Sequence, residues 1–164
     1  MTLMSMISLT SCCTHRHGSA GLKDINVQVD SAVTAVMGDS ISSILSAAKH
    51  VKAIDKCISL PSNCDSVRNL KSDATNALRF LIESPDNFVS DNPVYGYFNP
   101  SVIYIFNDGN REISILFDFG LKKWGIADAS GKTFFTRDLK SNELLRFSRK
   151  LFPCDPLLES IDKK

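Results

Sequence analysis

The sequence predicts an α+β fold: an antiparallel sheet of about four or five strands with helices packed on one face. Three observations predict it. Apolar residues recur at helical spacing in separate stretches on both sides of residues 101–139. Between Ser101 and Leu139 the period changes to two, with β-branched and aromatic residues alternating against polar ones. Turn signals sit between those alternating runs, so the strands follow one another as a meander.

Taken in order, Ile25, Val27 and Val29 alternate and predict a short strand. In GDSISSILSAAKHV, Asp39 or Ser40 can cap a helix whose apolar face is Ile41, Ile44, Leu45 and Ala48. VKAIDKCISL reads as a strand ended by Pro61, and PSNCDS as a loop. A second helix opens at Ser72, with Asp73 in its first turn. It carries Ala74, Ala77, Leu78, Leu81 and Ile82 on one face and stops at Pro85. A loop rich in Asn, Asp and Pro runs to about Pro100. SVIYIF and REISILFDFG are strands around the hairpin signal Asp108-Gly109. In the second of them Ile113, Ile115, Phe117 and Phe119 share one face, while Glu112, Ser114, Leu116 and Asp118 share the other. KKWGIADASGKTFFTRDL gives two more strands around ADASGK. A final helix is capped by Ser141, with Glu143 against the positive end of its dipole. Leu144, Leu145, Ser148, Leu151 and Phe152 form its inward stripe, and Pro153 ends it.

Composition bounds the function more than it defines it. The chain has 164 residues, 43% hydrophobic and 23% charged, which suits one globular domain. Nineteen Lys and Arg against eighteen Asp and Glu leave a net charge of +1, and no basic stripe larger than Arg146, Arg149 and Lys150. Nucleic-acid binding is therefore not expected. No apolar run approaches the ~18 residues that span a bilayer. Residues 1–21 read as a signal and flexible tether, and residues 22–164 as a single α+β domain.

Within the first segment, Leu3, Met4, Met6, Ile7 and Leu9 form a short hydrophobic region, followed by the small residues Thr10 and Ser11. The order Leu9-Thr10-Ser11-Cys12 resembles the lipobox of bacterial lipoproteins. That resemblance implies acylation of the Cys12 sulfur, cleavage before Cys12, and a membrane anchor in the bacterial cell envelope facing the periplasm. No Lys or Arg precedes Cys12, the first being Arg16, so the natural chain is expected to begin upstream of Met1. THRHGSAG then has the composition of a tether. The block from ALRFLIES through FNPSVIYIF, ISILFDF and LLRFSRKLFP is similar to uncharacterised bacterial envelope proteins, which implies a fold and a compartment but no chemistry.

The candidate sites are few. Cys12-Cys13-x-His15-x-His17 matches no closed zinc pattern, so no metal or other cofactor is expected. In an oxidising compartment one disulfide is expected; Cys57 and Cys64 flank a short loop and form the first candidate pair, with Cys154 competing for either. His50 follows Lys49 at a helix end and has no nucleophile elbow to serve. Gly131-Lys132-Thr133 echoes a phosphate loop but lacks its upstream glycine and lies in a hairpin turn. Asp118 is expected to be an exposed strand residue; on a covered face it would act as an acid or anchor. Tyr95, Tyr97 and Phe98 in the Pro/Gly/Asn loop, with Trp124, are candidate partner-binding aromatics, against a reading in which they plug the end of the sheet.

By elimination the expected function is that of a non-enzymatic, lipid-anchored protein that binds another protein, in its sharpest form an immunity or inhibitor protein against a toxic effector. The alternatives are a carboxylate-dependent envelope hydrolase centred on Asp118 and a structural lipoprotein of an envelope complex.

Overall fold

A computed structural model of the chain describes residues 37–87 and 96–161. The expected strand at Ile25–Val29, Cys12 with its lipobox, and Tyr95 lie outside the described residues. The order of elements is α1 (Asp39–Ala47), β1 (His50–Asp55), β2 (Val67–Asn69), α2 (Ser72–Glu83), a single 3₁₀ turn at Pro85–Asn87, β3 (Val102–Asn107), β4 (Glu112–Asp118), β5 (Lys123–Asp128), β6 (Thr133–Asp138), α3 (Glu143–Leu151) and α4 (Pro156–Ser160). The six strands form one antiparallel sheet in the order β2-β1-β3-β4-β5-β6. The α+β architecture is as expected, with one strand more. That strand is β2, three exposed residues at the edge, too short and too polar to leave a periodic signal.

Strand alternation builds the core. Val51 and Ala53 of β1 register with Phe106 and Tyr104 of β3, and these with Ile113 and Ile115 of β4. Phe117 and Ile115 then register with Trp124 and Ile126 of β5. All of these side chains are buried and belong to one cluster with Ile44 and Leu45 of α1, Leu78 and Ile82 of α2, Leu144 and Leu145 of α3, and Leu158 of α4. Fully burying each such Leu, Ile or Phe contributes about 1.5–3 kcal/mol. Phe117 lies between Tyr104, edge-on at 5.8 Å, and Phe119, stacked at 5.6 Å.

Polar groups secure the helices. Arg79 of α2 donates to the carbonyls of Leu45 (2.8 Å) and Ala48, closing the C-terminal end of α1, where a cation also suits the dipole. Ser148 of α3, fully buried, gives its hydroxyl proton to the Leu144 carbonyl (2.8 Å). Its oxygen is left to accept from the Tyr104 hydroxyl at 2.7 Å. The predicted caps shift by one or two residues. α2 begins on Ser72 itself, with Lys71 at its N-cap; the N-cap of α3 is Asn142, and Ser141 just before it accepts from the Glu143 amide at 3.0 Å. The β3–β4 and β5–β6 hairpins close as their sequences require, with Gly109 at φ 103° and Gly131 at φ 81° in the left-handed region.

Tyr104→Phe removes one buried hydrogen bond and is expected to cost about 1 kcal/mol, whereas Ser148→Ala strands the buried phenol and is expected to cost about 1–3 kcal/mol. The double variant recovers part of that loss. Urea unfolding of the three variants checks this order; equal costs for both single variants would show that the Tyr104 hydroxyl has another partner.

Candidate functional site

One end of the sheet gathers the loops. β1 ends at Asp55 opposite the start of β3 at Val102, and β4 ends at Asp118 opposite the start of β5 at Lys123. The loop after β1, the segment leading into β3 and the β4–β5 turn therefore meet there. Backbone bonds stitch them: Lys56 donates to Ser101 (2.9 Å) and Ser101 donates to Phe117 (2.7 Å).

Asp118 organises two of these segments. Its Oδ2 accepts from the Asn99 amide at 2.9 Å and its Oδ1 from the Leu121 amide at 3.0 Å. The side chain is only 5% exposed, so the expectation of a solvated strand residue is corrected. Alternation does put it on the face opposite Phe117, but at this end the 96–101 segment covers that face. Both oxygens are spent on backbone donors, which makes Asp118 an anchor and leaves a hydrolase centred on it without a free carboxylate. Gly96 fits the same joint: a Cβ there would lie 2.8 Å from Leu121 Cδ1.

A second acidic group closes the core side of the same end. Val51, Ala53, Asp55 and Cys57 continue one inward alternation, so Asp55 and Cys57 point under the helices. Asp55 Oδ1 accepts from the Cys57 amide at 2.8 Å. Asp155, in the α3–α4 connection, caps α4 by accepting from the Leu157 amide at 2.7 Å. The two carboxyl groups face each other, at 4% and 1% exposure. Burial, with the neighbouring Asp155 adding to it, pushes Asp55 up to about 6 against the opposing effect of the Cys57 amide. Burial foremost, and both carboxylates in addition, push the Cys57 thiol up as well, so it is held as a thiol rather than as a reactive thiolate.

The covalent tie in this region is Cys64–Cys154, with Cα atoms 6.3 Å apart and a sequence separation of 90. The expected Cys57–Cys64 pair is thereby corrected: Cys57 is buried and free. The reason is the alternation that turns Cys57 inward, while Cys64 sits in the outer part of the β1–β2 loop. In the chain-entropy picture a closed loop of this size stabilises the fold by about 4–5 kcal/mol.

Two large apolar side chains project from these tied loops. Ile58 is 97% exposed and Tyr97 is 91% exposed. Val67 and Leu157, on the segments flanking the bridge, are exposed too. Of the other predicted aromatics, Phe98 is half-buried and Trp124 is fully buried in the core, so Trp124 is corrected from a binding residue to a packing one. His50 is the first residue of β1 and is exposed. Among the described residues no group of three His, Cys, Asp or Glu converges to hold a metal. A groove between α2 and α3 is lined by Leu81, Phe147, Arg149, Lys150, Arg146 and Glu143, and its one carboxylate is paired with Arg146 at 2.6 Å.

Sequence reasoning missed Asp55, Asp155 and Ile58. An Asp in the apolar phase of a strand was the available signal for the first, and Asp before Pro, the N-cap and N1 pattern, for the second. Comparison of the chain with protein families, with curated proteins and with solved structures finds no match.

Asp118→Ala leaves the Asn99 and Leu121 amides without their acceptor and is expected to cost about 1–3 kcal/mol in denaturant unfolding, with faster hydrogen exchange at both amides. Reduction of the bridge, or Cys154→Ser, is expected to cost roughly 2–5 kcal/mol, while Cys57→Ala retains the bridge. Equal sensitivity to reductant in wild type and Cys154→Ser would remove the bridge from the account.

Proposed function

We propose that this chain is an exported, lipid-anchored protein of the bacterial envelope. It binds another protein through the loop end of its sheet and catalyses no reaction. The observation that carries the binding assignment is the near-complete exposure of Ile58 and Tyr97 on segments tied by Asp118 and by Cys64–Cys154. Single exposed apolar residues are ordinary on protein surfaces; two so large and so fully exposed, on loops that meet at one end of the sheet, support a binding face there. Ordered loops also lose little entropy on binding, so such residues serve well as anchors. A disulfide closing 90 residues supports the oxidising compartment, since such bonds persist outside the cytosol. The Leu9-Thr10-Ser11-Cys12 order supports the anchor. Within this reading an immunity or inhibitor protein, meeting an incoming toxic effector, is the sharpest form.

Two measurements test it. Mass spectrometry of the native N-terminus is expected to find acylated Cys12, and an unmodified Met1 from a cytosolic fraction would overturn the anchor and the compartment together. Affinity capture from envelope extracts is expected to recover a stoichiometric protein. Replacing Ile58 by Ser together with Tyr97 by Ala is expected to weaken that capture about tenfold or more, the equivalent of about 1.4 kcal/mol. Phe80→Ser, on the exposed face of α2, serves as the control, and weakening by the control alone would move the site to that helix.

A further inference from the structure

We propose that Asp55 and Asp155 form a proton-operated latch: one proton shared between their carboxyl groups docks the segment around α4 onto the end of β1, and its loss loosens that docking. The geometry requires some such occupant. Each carboxyl group uses one oxygen on a backbone amide, Cys57 for Asp55 and Leu157 for Asp155. The remaining oxygens, both Oδ2, are buried and have no donor. An acceptor sealed from water without a donor costs roughly 1–3 kcal/mol. Two facing acceptors are satisfied together by a single proton, which turns one into a donor to the other.

Among the described residues no neighbouring element supplies a cation instead. The groups facing the pair are the Cys57 thiol from the β1–β2 loop and the Cys57 and Leu157 amides. Val102, across from Asp55 on β3, is apolar and buried. Arg149 of α3 donates its Nε to the Leu158 carbonyl, and the ion pairs found among the described residues involve neither aspartate. Nor does a third ligand converge for a metal among those residues.

The direction of the effect follows from the proton. Unfolded, Asp55 releases it near 3.8; folded, it holds it to about 6. Between those values the folded state keeps a proton that the unfolded state has lost, so stability falls as pH rises through that window. Above it, two like charges lie buried in contact, and the docked segment opens locally while Cys64–Cys154 keeps it tethered. The latch therefore closes in acid and loosens toward neutral pH. It stands whether or not this end of the molecule binds a partner.

The test uses the full chain with its bridge intact. Amide protection at Leu157 and Cys57 is compared with that at Ile115 in the core, at about pH 5 and about pH 7.5, in wild type and Asp55→Asn. In wild type, protection at Leu157 relative to Ile115 is expected to fall about tenfold or more over that range. In Asp55→Asn the side-chain amide donates to Asp155 at any pH, and the ratio is expected to stay constant. A constant ratio in wild type overturns the latch, and so does an unchanged pH dependence in Asp55→Asn. If that variant does not fold, carbon NMR titration of the wild-type carboxyl groups decides. Titration of the Asp55 signal well above 3.8 supports the latch, and its titration as an ordinary carboxylate overturns it.

Discussion

A strand alternates its side chains, so a sheet can gather its large apolar residues on one face only by keeping every strand in register. Here that face runs from Val51 and Ala53 through Tyr104 and Ile115 to Trp124 and Ile126, and it has to be covered. All four helices among the described residues are recruited to it, and each contributes at least one fully or almost fully buried leucine or isoleucine. Ser148 is fully buried against that face, where its hydroxyl oxygen pairs with the Tyr104 hydroxyl under α3. A one-residue slip of any central strand would turn its buried set outward, which makes the register the condition on which the loop geometry at the sheet ends depends.

Local signals made most of this frame legible in the sequence. The meander from β3 to β6 was readable because β3 is rich in β-branched and aromatic residues, β4 places Ile113, Ile115 and Phe117 on one face, and two of the three hairpins carry turn residues, Asp108-Gly109 and Asp128 to Gly131. What escaped is short or non-local. β2 and α4 have three and five residues, below the length at which a period can be read. The Cys64–Cys154 bridge was among the pairings left open, with Cys154 competing for Cys64, but it joins residues 90 positions apart and no spacing rule selects it over Cys57–Cys64. Asp118 shows a limit of another kind. Alternation assigns its face correctly, yet says nothing of whether a distant segment, here Asn99, covers that face. Its position three residues before Leu121, with Gly120 between, was nevertheless a readable turn signature.

The aspartates of this protein differ by how many donors each receives. Asp108 accepts from the amides of Asn110 and Arg111 and from the Arg111 side chain, and is held below the usual carboxylate range, those two amide bonds being the largest causes. Asp128, accepting from Ser130 and Lys132, is held below it too, chiefly by the Ser130 hydroxyl. Both close exposed hairpins, where donors are plentiful and water is near. Asp55 receives one amide and faces a second carboxylate away from water, and it is pushed the other way. The same side chain thus fastens a turn in one setting and responds to protons in the other, and burial relative to donor count decides which.

Why should the loop end, rather than the groove between α2 and α3, carry recognition? In the groove, Arg146 is engaged with Glu143 on its own helix, and Arg149 reaches back to Leu158. A ligand there would have to compete with contacts already made. At the loop end the ordering has been done from beneath: Asp118 holds the segment bearing Tyr97, and the bridge holds the loop that contains Ile58. The apolar side chains above make no such commitment, at 97% and 91% exposure. Fixing backbone before contact lowers the entropy that binding must overcome. Polar and covalent ties spent below an apolar surface are the arrangement in which that saving reaches a partner. The anchoring of these loops therefore favours this end as the face that meets another protein.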